Sequence, residues 1–95
     1  QNDQAWAIHQ ADGSWLLDGQ MPVAELKARL EIEDELPQED RGRYNTLAGM
    51  VMLLLGRLPQ TTDSVEWEGW RFEVVDMDGK RIDKILATRL KDHRS

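Results

Sequence analysis

Residues 46–59, Thr-Leu-Ala-Gly-Met-Val-Met-Leu-Leu-Leu-Gly-Arg-Leu-Pro, limit what this chain can fold into more than any other stretch. Leu47, Met50, Val51, Leu54, Leu55 and Leu58 recur at helical spacing and make one full apolar stripe. Ala48, Met52 and Leu53 then cover much of the side that water should wet. A helix this apolar must be covered on more than one side. It is too short for a bilayer, which needs about 20 apolar residues. It is therefore the central helix of a small core, or a core helix that also meets a partner. Asn45 or Thr46 can cap its start by accepting an orphan backbone N–H, and Pro59 is expected to stop it.

A chain of 95 residues makes one domain, with a core expected over about residues 5–90. At this size only about two-thirds of the unfolded surface is buried, so the core is small. Apolar residues make up 40% and charged residues 32%, too apolar a mixture for disorder. There is no cysteine, which excludes disulfides, zinc–thiolate sites and thiol catalysis; a reducing compartment fits. The chain opens Gln1-Asn2-Asp3 with no basic or apolar leader, so no signal peptide or transmembrane segment is visible. Such a start is expected of a piece cut from a longer protein.

The net charge of −6 is uneven. Residues 1–46 hold ten acids against four bases, and residues 47–95 hold eight of each. The excess is concentrated in Glu31, Glu33, Asp34, Glu35, Glu39 and Asp40. An acidic chain without a basic stripe argues against nucleic acid and against anionic membrane surfaces as partners.

Residues 5–9 and 14–18 are short aromatic and aliphatic runs separated by Asp12-Gly13, a strong hairpin signal. Pro22 suits the first turn of a helix over residues 22–30 whose apolar face is Val23, Leu26 and Leu30. Residues 31–42 read as an acidic loop. After Pro59 the period changes. Residues 65–68 alternate apolar and acidic, as a half-buried strand should, and 70–74 alternate again, with a turn or bulge at Gly69. Val75 and Met77 switch the apolar face, and Asp78-Gly79 makes a second tight turn into a strand over 80–88. There Ile82 and Ile85 are out of phase, so a bulge is expected between them. The polar tail 91–95 is expected to fray. The order β-β-α-α-β-β-β segregates strands from helices. It reads as α+β, an antiparallel sheet with two helices packed on one face.

Chemistry-bearing patterns are sparse. The loop 31–40 offers hard oxygens for Mg²⁺ or Ca²⁺, with Glu33, Asp34 and Glu35 the candidate ligands, but its spacing is not that of an EF-hand. A solvated charged loop is the simpler reading. His9 lies in a candidate strand and His93 in the tail, neither beside a partner that would make a triad or a zinc site, so no enzyme is expected. The glycines form no phosphate-binding loop. Gly49 and Gly56 lie two turns apart, where a neighbouring strand is expected to approach the helix closely. Trp6, Trp15, Trp67 and Trp70 all fall in candidate strands, where large rings serve the core. Trp67 and Trp70 have opposite parity. Without a bulge at Gly69 one of them faces water and becomes an interface anchor; with one, both face inward. Core is the expectation for both. Met52, Leu53 and Trp70 are the residues carried forward as a possible interface.

Asp12-Gly13-Ser14-Trp15, Asp18-Gly19 and Pro22-Val23 with Leu26 resemble the opening of the CorC/HlyC transporter-associated domain. So do residues 44–51 running into Gly56-Arg57-Leu58-Pro59, and Gly69-Trp70-Arg71-Phe72-Glu73-Val74-Val75 followed by Met77-Asp78-Gly79-Lys80-Arg81-Ile82. The ordered set spans roughly Trp6 to Leu90. One departure is Thr61-Thr62-Asp63, where the family commonly has Gly before the acid; it bears on that loop's turn geometry. The resemblance implies a C-terminal cytosolic module that follows a pair of CBS domains, sometimes behind a membrane domain of the inner membrane. The proteins are linked to magnesium and cobalt efflux, and some are named hemolysins. It also implies a fold like a small piece of the p-cresol-methylhydroxylase-type flavin-binding domain. Flavin is thus a cofactor by fold analogy alone. No catalytic residues carry over.

The expectation is a non-catalytic accessory or regulatory domain of an ion-transport protein, with the CBS and membrane domains of its parent as partners. The alternatives are a module binding FAD or an adenine nucleotide, and a purely homodimerising structural domain.

Overall fold

The structure is a computed structural model that describes residues 6–90. Ala5, the tail 91–95 and His93 lie outside the described residues. The elements run β1 (Ala7–His9), β2 (Trp15–Asp18), α1 (Val23–Leu30), a short 3-10 turn (Glu39–Arg41), α2 (Leu47–Leu55), β3 (Ser64–Trp67), β4 (Trp70–Asp78) and β5 (Arg81–Arg89). The strands form one antiparallel sheet in the order β1-β2-β5-β4-β3. The β2–β5 pairing closes the fold, joining a hairpin from before the helices to the last strand. Alternation decides the faces. Leu17, Ile85 and Val74 stand in one row across three strands, and Trp15, Ala87, Phe72 and Val65 in the next. These rows pack with Leu26 and Leu30 of α1 and with Leu47, Met50 and Val51 of α2. The intervening row, Ile8, Leu16, Leu86 and Glu73, stays half-buried or exposed. The fold is α+β, with the element order read from the sequence.

Three local expectations change. The helix starting at Thr46 ends at Leu55 rather than at Pro59. Gly56 adopts φ 71° and returns its N–H to the Met52 carbonyl, which ends the helix at no steric cost to a residue without Cβ. Leu58 therefore leaves the stripe and is 68% exposed, while Pro59 is buried. Ala48, read as wet, is buried, and its N–H donates to the Gly19 carbonyl at 2.8 Å. The end of β2, rather than a strand face, thus meets α2 at its start. Thr46 supplies the cap, its hydroxyl accepting from Gly49 N–H at 3.2 Å.

Trp67 and Trp70 share a face without a bulge. Glu68 (φ 48°) and Gly69 (φ 82°) form a two-residue turn with both φ positive, so Trp67 pairs directly opposite Trp70. Opposite parity along the sequence does not separate the two rings, because the chain reverses between them. The irregularity expected between Ile82 and Ile85 is present. The β4–β5 register shifts between Asp76 and Met77, leaving Asp83 unpaired and letting Ile82 and Ile85 both bury completely. A compensating shift leaves Val75 unpaired on β4.

Candidate functional site

The acidic segment after α1 is built, not merely solvated. Glu31 ends α1 in the left-handed region (φ 56°), and both its N–H and that of Ile32 return to the Lys27 carbonyl. Leu36, 2% exposed, anchors the segment in the core. Glu39 then locks it. Its carboxylate accepts the Leu36 N–H at 2.7 Å and the Lys27 ammonium at 3.1 and 3.3 Å. The Leu36 N–H first, and Lys27 second, hold the Glu39 carboxyl below its ordinary value. Tyr44 donates its hydroxyl to the Pro37 carbonyl, and burial together with the Glu39 charge pushes that phenol up. Glu39, counted in the sequence as part of the acidic excess, is thus a structural acceptor.

Glu31, Glu33 and Asp34 line a surface cavity of about 260 Å³. One wall is the segment 30–34, and the other comes from Glu68, Trp70 and Arg89. Trp70 is only 6% exposed, and the Arg89 guanidinium carbon stands 5.1 Å from its ring centroid, a cation–π contact. Residues 70 and 89 are also partners in the β4–β5 ladder. Of the sequence candidates for metal, Glu33 and Asp34 line this cavity; Glu35 is exposed and does not. Among the described residues no group of three or more His, Cys, Asp or Glu is arranged to hold a metal ion.

The interface candidates separate. Met52 is 40% exposed and Leu53 half-buried on α2, whereas Trp70 is 6% exposed and packs in the chain's own core. His9, the one histidine among the described residues, stacks on Trp15 with centroids 4.2 Å apart and planes 9° from parallel. Glu68 and Arg89 escaped the sequence reading. Their relation to segment 30–34 is tertiary, and the one available signal is that the β4–β5 ladder through the 79–80 turn sets residue 89 beside Trp70.

A second polar cluster closes the loop between α2 and β3. Arg57 grips Asp63 with two bonds of 2.8 and 2.9 Å, and Gln60 N–H donates to the same carboxylate at 2.8 Å. Arg57 chiefly, then the Gln60 N–H, lowers the Asp63 pKa, and Asp63 raises that of Arg57. Among the described residues no helix is long and apolar enough to cross a membrane.

A protein-family model described as "Transporter associated domain" (CorC_HlyC) matches residues 8–91. The polyamine export protein of Salmonella typhimurium is 46% identical over 88 residues, which make up 93% of this chain and 19% of that protein. The chain spans about a fifth of the length of the curated relatives it matches. Among solved structures, the CorC_HlyC domain of a Xylella fastidiosa hemolysin, in complex with Mg²⁺ and Mn²⁺, superposes with a TM-score of 0.78 at 42% identity, covering 92% of this chain and 100% of that one. The transporter associated domain of a CBS domain protein from Porphyromonas gingivalis gives a TM-score of 0.80 at 26% identity, covering 90% and 99%.

Proposed function

The chain belongs to the CorC_HlyC transporter-associated domain family, and on that premise we propose that it is a non-catalytic accessory domain that regulates cation export by the protein carrying it. One observation carries the proposal. A segment 46% identical to most of this chain forms only 19% of a protein named for polyamine export, which supports an accessory share in that protein's work. Two features agree with a regulatory part. The charged residues with displaced pKa values hold loops in place, and His9 is committed to a stack on Trp15. The resemblance implies magnesium or cobalt; the relative's name favours an organic cation. A CBS domain protein among the structural matches supports CBS domains of the same chain as the partners through which regulation passes. On this reading the domain works on the cytosolic side of the membrane.

The test is deletion of this domain from the full-length parent, with efflux of putrescine and spermidine followed from loaded cells at matched expression. Altered efflux, or efflux that no longer responds to internal polyamine, is expected. Efflux identical to that of the intact protein would overturn the regulatory role.

A further inference from the structure

We propose that the outer face of the sheet, turned away from the helix-covered core, is a self-association surface on which a second copy of this chain packs sheet to sheet. An antiparallel sheet with one wet side turns polar residues to it. Here the row Ile8–Leu16–Leu86 crosses three neighbouring strands, β1, β2 and β5. Ile8 is 51% exposed, and Leu16 and Leu86 are half-buried. Their chain neighbours Leu17, Ile85 and Ala87 point the other way and are buried in the core. An apolar row through the middle of a sheet face is the pattern of one layer of a sandwich.

The charges on β4 choose the occupant. The row continues from Leu86 to Glu73, its ladder partner. Arg71 stands on one side of the row and Asp76 on the other, both exposed. Sheets that meet face to face in a closed dimer are related by a two-fold axis lying between them. An axis along the strands would set Leu16 against the partner's Glu73, apolar against acid. An axis along the row sets Ile8, Leu16 and Leu86 each on its own counterpart. It also brings Arg71 opposite the partner's Asp76, and Asp76 opposite the partner's Arg71. Facing sheets lie about 10 Å apart, a gap that an arginine and an aspartate reaching toward each other can close. The face is thus complementary in charge to a second copy of itself. Its one conflict is Glu73, which meets its own counterpart at the end of the row.

Area sets the strength. Five strands spaced about 4.8 Å apart and averaging about six residues make a face of about 24 by 20 Å, or roughly 500 Å² per copy. That lies at the low end of specific interfaces, where association is weak and transient. The dimer is therefore concentration-dependent, and the Glu73 pair weakens it further.

The test is sedimentation equilibrium of the 95-residue chain from about 10 μM to about 1 mM, with amide NMR spectra over the same range. The Xylella domain, matched over its whole length, shows that such a domain folds on its own. A mass rising toward two chains is expected, with concentration-dependent shifts gathered at residues 8, 16, 71, 76 and 86. Arg71→Asp should weaken association about tenfold, because it sets acid against acid twice. Arg71→Asp combined with Asp76→Arg should restore it to within a few-fold, which a merely sticky surface would not do. Glu73→Gln should tighten it a few-fold. Should the double variant not fold, the opposite effects of Arg71→Asp and Glu73→Gln still decide. A monomer at the highest concentration, a dimer indifferent to Arg71→Asp, or a folded double variant without rescue would overturn the proposal. So would shifts on this face that arise only when the rest of the parent protein is joined to the chain, since the occupant is then another domain.

Discussion

Thr62 is the residue whose chemistry fits its place least well. Its φ is 77°, in the left-handed region where a β-branched side chain crowds its own backbone. Bonds on both sides hold it there. Thr62 N–H donates to the Val74 carbonyl at 2.8 Å, Val74 N–H donates to the Asp63 carbonyl at 2.8 Å, and the Asp63 carboxylate is gripped by Arg57. The resemblance singled out this position because the family commonly has Gly before the acid, and the backbone supplies the reason. Thr62→Gly should raise stability by about 1 kcal/mol, the relief of left-handed strain outweighing the extra freedom glycine has when unfolded. Urea unfolding followed by tryptophan fluorescence checks this; an unmoved midpoint would mean that the loop already absorbs the strain.

At the scale of elements, three are joined at Gly19. Its N–H donates to the Asp83 carbonyl in the irregular part of β5, and its carbonyl accepts from Ala48 at the start of α2, both at 2.8 Å. A Cβ here would overlap the Ile82 carbonyl oxygen, which is backbone and cannot swing aside. Gly19→Ala should therefore cost about 2–3 kcal/mol and lower the melting temperature by several degrees, a large effect for one methyl group. A melting temperature within a degree of the parent's would show that β5 can retreat. This junction also marks where sequence reasoning stops. Alternation, the Asp-Gly turns and the out-of-phase Ile82 and Ile85 made the strands and the irregularity legible, because each is a local pattern. Gly19 was visible only as part of a motif, since close approach depends on a strand more than sixty residues away. Gly49 and Gly56 show the same limit. Both sit in one apolar run, yet one is a helical residue where an added Cβ would stand 2.9 Å from the Cβ of Tyr44 and the other is the left-handed cap. The cavity was half legible. Its acidic wall is a run in the sequence, while the Trp70–Arg89 wall exists only once β4 and β5 pair.

Across the described residues, the carboxylates with displaced pKa values sit outside the strands and the two α-helices. Asp12 accepts from the hydroxyl and N–H of Ser14 in the β1–β2 turn, Glu39 locks the segment after α1, and Asp63 closes the loop before β3. Each pKa is lowered in the folded state by those donors. A carboxyl with a depressed folded pKa stabilises the fold fully above its unfolded value, near pH 4. That stability is lost as the pH falls through the folded value. The net charge of −6 works in the opposite direction, since mild acid reduces self-repulsion. Repulsion among exposed charges is diffuse and screened beyond about 8–10 Å at ordinary salt, whereas the three locks act at contact distance. The locks should therefore win once the pH drops below the carboxylate range. The urea midpoint is expected to change little from pH 7 to 5 and to fall clearly from pH 5 to 3, in low and moderate salt alike. Asp63→Asn and Glu39→Gln should each lower the midpoint at pH 7 and shrink the acid drop, because a lock removed by mutation cannot be removed again by a proton. A midpoint level between pH 5 and 3 would mean that the loops stay closed without their carboxylates.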